Sequence, residues 1–316
     1  MKLVRSIVLL FVFSASVFAQ ADSAASAANA DTARALSRAD YSALVRAEQE
    51  ASYISLPFLS FGLPREVHKG KSLPLLYEAT IAPPFFIPFG RLPLLVAVTP
   101  KLVLRQYAGG SYPVPPPSYM PRVTAYWWGW PYRGQSNLDS ASYGFLRVGH
   151  HSNGQEGDYY KAGDPPQVDY ANGDFVTNYL EIGASQRVIA RHLVDGAQSI
   201  SVEWHPPGWM NRYVRPGYGP FRIHVDSRLE LVRGVSALSG GVASLSYLAG
   251  PMLPNRRDMR SRLAFGYTLY SDLGLLGDFS LFASYYTGQD YYNIRFDRNI
   301  SVFRIGALAG ARRFPR

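Results

Sequence analysis

From Leu73 onward this chain is written in short runs in which apolar and polar residues alternate, separated by Gly, Pro, Asn and Asp. Alternation with period two is the signature of a strand with one apolar and one polar face. In 262–269, Arg262, Ala264, Gly266 and Thr268 fall on one face and Leu263, Phe265, Tyr267 and Leu269 on the other. The runs lie at 75–82, 92–107 (bent at Pro100), 122–130, 143–151, 175–184 and 188–194 around a turn at Ser185-Gln186, 199–204, 222–231, 237–248, 262–271, 279–287 and 300–309. Many are near the length of about 9–11 residues that a tilted strand needs to cross a bilayer. The expectation is an all-β fold: a transmembrane antiparallel β-barrel of about 12 strands. The 22 Tyr and 17 Phe, against only 17% charged residues, suit the aromatic girdles of such a barrel. A large soluble β-sandwich is the alternative that composition allows.

The N-terminus reads as a secretory signal peptide, 1–19. Lys2 and Arg5 precede an apolar stretch from Ile7 to Phe18, and Val17 and Ala19 precede a cut before Gln20. No later run reaches the roughly 18 apolar residues of a spanning helix. Residues 20–72 form an Ala-rich lead and a linker in which Pro57 and Pro64 act as breakers, and 73–316 is the barrel domain. The absence of Cys excludes a disulfide scaffold, a thiol nucleophile and thiolate metal sites. The formal charge of +9 fits an anionic surface such as a headgroup layer. It comes with no nucleic-acid motif or contiguous basic stripe, so no nucleic-acid partner is expected.

Of six His, only His150 and His151 sit in a dense polar cluster, Gly149-His150-His151-Ser152-Asn153-Gly154-Gln155-Glu156-Gly157-Asp158. It follows a strand directly. Residues two apart in a strand share a face, so His150 lies beside Ser152 while His151 points the other way. A His beside a Ser hydroxyl is the minimum for a base-activated nucleophile. Gly154 allows close backbone approach, so its N–H is a candidate oxyanion donor. Read blandly, Ser-Asn-Gly is turn chemistry at a strand end. Adjacent His residues diverge in a strand, and no third ligand has the spacing for zinc. There is no Gly-x-Ser-x-Gly elbow, Gly-rich phosphate loop or HExxH.

At this cluster the sequence resembles the outer membrane phospholipase A family, whose signature is His-x-Ser-Asn-Gly at the end of a barrel strand. Here that is His150-His151-Ser152-Asn153-Gly154. Three further segments are similar in the same order: Ser111-Tyr112-Pro113 with Tyr119-Met120-Pro121, then Asn178 in Phe175–Leu180, then Tyr286-Thr287-Gly288-Gln289 with Ile294-Arg295-Phe296. The resemblance spans roughly 73–309. It implies an outer-membrane barrel, exported by its signal peptide, that hydrolyses acyl esters of membrane phospholipids. Ser152 is then the nucleophile, His150 the general base, and Asn178 the amide that orients His150.

The resemblance also implies calcium at a homodimer interface. The ligands carried over are Ser111 from the partner subunit, the main-chain carbonyl of Gln155, and Asp174, four residues before Asn178. The chain departs from the family between 155 and 174, where a longer loop carries Glu156, Asp158, Asp164, Asp169 and Asp174. Carboxylates suit calcium, and they equally suit a solvated loop. The competing reading is a non-catalytic barrel, porin-like or structural, in which His150 and Ser152 are incidental. Asn178 discriminates, since a passive barrel has no use for a third partner.

Overall fold

The computed structural model describes residues 52–59, 65–68, 71–89, 92, 94–108, 114–127, 138–163, 167–190, 194–231, 240–249, 261–269 and 279–309. Residues 1–19, read as a signal peptide, and the Ala-rich lead lie outside the described residues.

Three strands are interrupted without losing register. Ile81 pairs with Leu102 and Phe85 with Val98, so Lys71–Ile81 and Phe85–Pro88 run on as one strand. Thr99 pairs with Arg122 and Leu102 with Tyr119, which joins Leu94–Thr99 to Leu102–Tyr107 across Pro100. Arg122 pairs with Gly149 and Tyr119 with Ser152, which joins Ser118–Tyr119 to Arg122–Trp127. Proline cannot donate to a ladder, so each break costs a hydrogen bond but not the direction of the strand.

With these three and Ser52–Leu59 stand Leu138–Ser152, Val176–Ala190, Val194–Trp204, Phe221–Leu231, Gly240–Ala249, Ser261–Leu269, Phe279–Gln289 and Asn299–Ala309, twelve in all. Every neighbouring pair is antiparallel. The last strand pairs with the first, Ala309 opposite Ser52 and Phe303 opposite Leu59, so the order of neighbours returns to its start. The fold is an antiparallel β-barrel of twelve strands.

Two details differ from the sequence reading. Ser52–Leu59, assigned there to the linker, is the first strand. Pro57 sits beside a register irregularity between Pro57 and Leu59, the kind of place where a strand tolerates proline. The turn expected at Ser185-Gln186 is instead the middle of Val176–Ala190. Ser185 is buried, and its hydroxyl donates to the Gln198 carbonyl at 3.0 Å. Small polar residues there line the interior and do not turn the chain.

The two faces of the wall are inverted relative to a soluble protein. Leu146, Val148, Ile182, Ile200, Val202, Ile223, Leu281 and Ile305 are exposed on the outside. Between them, Glu78, Arg105, Thr124, Glu181, Ser201, Glu203, Arg222 and Arg304 are buried inside. Pairing places Thr124, Arg147, Glu181, Glu203 and Arg222 opposite one another in a continuous row round the inner wall. Within that row Arg147 donates to Thr124 Oγ1 at 3.0 Å and to Glu181 Oε2 at 2.6 Å. Such cross-strand polar pairs satisfy groups that would otherwise be stranded.

The deepest interior charge is Arg105. Its Nε donates to Glu78 Oε2 at 2.7 Å, and Nη1 and Nη2 clamp both oxygens of Asp290 at 2.7 and 2.9 Å. The guanidinium also lies 4.5 Å from the Tyr292 ring centroid. Asp290 opens the connection between the last two strands, so this ion cluster ties that connection to the strand Leu102–Tyr107.

Removing one partner of a buried ionic cluster strands the others. Arg105→Met is therefore expected to destabilise the barrel by about 3 kcal/mol or more. The effect should be read as a lower guanidinium midpoint in detergent.

Candidate active site

Leu138–Ser152 and Val176–Ala190 pair over their whole length, from Leu138 opposite Ala190 to Ser152 opposite Val176. That register sets Asn178 directly across from His150. His150, Ser152 and Asn178 are all half-buried on the outer face, whereas His151 between them is buried inside. The alternation of faces expected from strand geometry, with His150 and Ser152 on one face and His151 on the other, is present.

The Asn178 Oδ1 lies 2.7 Å from His150 Nδ1, and its Nδ2 donates to the Trp209 carbonyl at 3.3 Å. The second bond fixes the first. A carbonyl can only accept, so the amide nitrogen faces Trp209 and the amide oxygen faces the imidazole. His150 Nδ1 must then carry a proton, so in the neutral ring the lone pair is on Nε2. This is the tautomer a general base requires. Ser152 lies one strand repeat further along the same face, about 6–7 Å from His150 by Cα rise.

His151 has a different task. Its Nε2 meets Ser118 Oγ and its Nδ1 meets Tyr218 OH, both at 3.1 Å, and its ring packs edge-on to Phe175. It fastens the inner side of the wall behind the outward pair. Gly149, opposite Tyr179, makes room for that ring: a Cβ there would lie 2.1 Å from Tyr179 Cζ.

Asn153, read from the sequence only as part of a motif, closes the base of the loop that follows. Its Nδ2 donates to the Gly173 carbonyl at 2.8 Å, and its Oδ1 accepts from Phe175 N at 3.1 Å and Gln155 N at 3.3 Å. Gly154 follows with φ +65°, a conformation that favours glycine. The ring of Tyr119, which pairs with Ser152, flanks it: a Cβ on Gly154 would lie 3.1 Å from Tyr119 Cε2.

The described residues of the loop beyond make their own contacts. Tyr160–Lys161 pairs with Gln167–Val168 as a small hairpin, and Asp169 caps the amides of Ala171 and Asn172. Tyr159, Phe175, Met210, Val214, Tyr218, Ile294 and Phe296 form one apolar cluster. Three connections at this end of the barrel thus share a core. Tyr170 OH donates to Asp297 Oδ2 at 2.5 Å; burial, then the Asp297 carboxylate, push that phenol up to about 12, so it stays a donor at neutral pH.

Of the expected calcium ligands, Ser111 lies outside the described residues. Asp174 is half-buried and its Oδ2 accepts from Asn211 Nδ2 at 2.6 Å. Gln155 lies close by, because Asn153 Oδ1 accepts both from Gln155 N and from Phe175 N, the residue after Asp174. Among the described residues no three His, Asp or Glu side chains gather into a metal-binding group.

Asn153→Ala is expected to unzip this loop base, leaving buried backbone groups without partners at about 1–3 kcal/mol. Lys161, the loop's lone lysine and exposed, should then be cut by trypsin several-fold faster than in wild type. An unchanged cleavage rate would contradict the assignment.

No family model matches this sequence, and no curated protein matches it by sequence. Solved structures match by fold. Outer membrane phospholipase A from Escherichia coli superposes with a TM-score of 0.54 at 12% identity, covering 82% of this chain and 92% of that one. An active-site Asn-to-Ala mutant of the same protein gives 0.53 at 11% identity, covering 83% and 91%. The Salmonella typhi outer membrane phospholipase dimer with bound calcium gives 0.51 at 12% identity, covering 82% and 90%. A twelve-stranded antiparallel barrel is thus the fold this chain shares with the outer membrane phospholipase A structures.

Proposed function

We propose that this protein hydrolyses acyl esters of phospholipids at the outer membrane, with Ser152 as nucleophile, His150 as general base and Asn178 as its orienting partner. The observation that carries the reading is the Asn178–His150 hydrogen bond on the same outer face as Ser152. A porin-like barrel has no use for an imidazole held in one tautomer beside a serine. The match in fold to phospholipases, one of them an active-site Asn mutant, supports the same reading.

The chemistry follows from the geometry. His150 Nε2 takes the Ser152 proton as Oγ attacks the ester carbonyl, and Nδ1 keeps its hydrogen bond to Asn178. The developing imidazolium is stabilised by the dipole of the Asn178 oxygen. A neutral amide avoids holding a carboxylate on a lipid-facing surface, where an unpaired charge is costly. The Gly154 N–H is the backbone donor for the oxyanion. His150 returns the proton to the departing alcohol, and a water activated in the same way releases the acyl group.

The outward apolar face suits hydrocarbon, which places the ester bonds of bilayer lipids beside a site on that face. The long connections 153–175 and 205–220 mark the end that faces outward in such barrels.

Calcium is part of this reading. The Gln155 carbonyl and the Asp174 carboxylate belong to the loop base that Asn153 closes, and such oxygens suit a hard cation. They are too few for a complete shell, and Ser111 of a second subunit would add to them. Bound there, the ion would polarise the ester carbonyl. Metal binding and dimerisation should then be linked.

The test is hydrolysis of a mixed-chain phospholipid in detergent, with calcium and with chelator. Ser152→Ala should keep a folded, heat-modifiable barrel and lose turnover. Asn178→Ala should lose less, because nucleophile, base and oxyanion donor remain. His151→Ala should spare turnover most, and equal loss at His150 and His151 would contradict the assignment. Full activity of a monomer in chelator would remove calcium and the dimer from the account while leaving the three site residues in place.

A further inference from the structure

The strands on either side of connection 205–220 end their outer faces in an aromatic pair. Ile200, Val202 and Ile223 are exposed along them, and beyond these Trp204 stacks on Phe221, ring centroids 6.4 Å apart at 13°. Aromatic rings at the edge of an apolar band mark the water–lipid boundary. The connection that leaves this pair therefore begins at the depth of the headgroups.

That connection also touches the site. The Trp209 carbonyl is the acceptor that holds Asn178, and Asn211 N donates to the Val176 carbonyl at 3.0 Å. On its exposed side lie two guanidinium groups. Arg212 sits 4.5 Å from the Tyr213 ring centroid and donates to its hydroxyl at 2.6 Å. Arg215 Nη2 donates to the Pro207 carbonyl at 2.5 Å, two residues from Trp209. Both are exposed, and neither has a carboxylate partner among the described residues. Residues 205–220 contain no Asp or Glu. Each guanidinium thus donates one hydrogen bond, which leaves its other N–H groups available to a ligand.

We propose that Arg212 and Arg215 form a headgroup subsite that binds the phosphodiester of the glycerophospholipid whose ester faces Ser152. This rests on the phospholipase reading and names the part of the substrate that sets its specificity. In a glycerophospholipid the phosphate and the acyl esters hang from one three-carbon unit. The connection that carries both arginines also holds Asn178, so a cation on it is offered to the phosphate of a lipid whose ester lies at Ser152. Guanidinium matches phosphate oxygens two at a time, and both groups are partly ordered beforehand by the Tyr213 hydroxyl and the Pro207 carbonyl.

The experiment compares wild type with Arg212→Gln/Arg215→Gln in neutral detergent micelles with calcium, on phosphatidylglycerol and on a p-nitrophenyl acyl ester that lacks phosphate. The KM for phosphatidylglycerol should rise about tenfold. That for the nitrophenyl ester should stay within about twofold, because the acyl-transfer residues are untouched. Arg215→Lys should recover part of the loss. An unchanged KM for phosphatidylglycerol, or equal loss on both esters, overturns the subsite.

Binding of a diether phosphatidylglycerol, which has no ester to cleave, should weaken by the same factor in Arg212→Gln/Arg215→Gln. This arm reads the subsite even if wild type hydrolyses neither ester, the outcome that would overturn the phospholipase reading alone. Inorganic phosphate at equal concentration should not displace the diether lipid. Equal displacement would make the pair a general anion site and overturn its assignment to the headgroup.

Discussion

The arrangement depends on one register: Leu138–Ser152 against Val176–Ala190, with Asn178 opposite His150. A slip of one residue would turn every side chain of a strand to the other face. It would bring Thr177 across from His150, carry Asn178 away from the imidazole, and aim Ile182 into an interior that now holds Glu181. Many pairs along both strands hold the register, and Asn153 locks its upper end by bonding across the loop base. The placement of His150 against Asn178 is thus fixed mostly by residues outside that pair.

The inside-out wall explains why the register is so well defined. The interior is built from paired charges and hydroxyls, including Arg147 with Glu181 and Arg105 with Glu78 and Asp290. A misplaced strand would leave buried charges unpaired, and such errors are expensive. The same inversion puts His150, Ser152 and Asn178 on the apolar outer face, next to the aromatic, arginine-bearing 205–220 connection. Behind it, His151, Tyr218 and Phe175 stiffen the inner side of the wall.

Period-two alternation made the barrel legible, because one face meets an apolar medium and the other does not; 262–269 is the plainest case. The outward pairing of His150 and Ser152 was legible for the same reason, and Asn178 through its likeness to a known pattern. Ser52–Leu59 was not, since Pro57 reads as a breaker until the register irregularity beside it is seen. Ser185 read as a turn because a lumen lining uses small polar residues that also suit turns. The role of Asn153 and the Arg105–Asp290 contact join segments far apart in the chain. No local pattern carries such contacts, and in Asn153 the only trace was its place within a motif.

The central claim is that Ser152 is a nucleophile because His150 is held in the right tautomer on the same face. The most direct measurement is covalent labelling of the folded barrel by an alkylsulfonyl fluoride, located by peptide mass spectrometry. The account predicts one sulfonyl group per chain, on Ser152, and its loss in a folded His150→Asn variant. Undiminished labelling of Ser152 in that variant, or modification of a different residue in wild type, would contradict it.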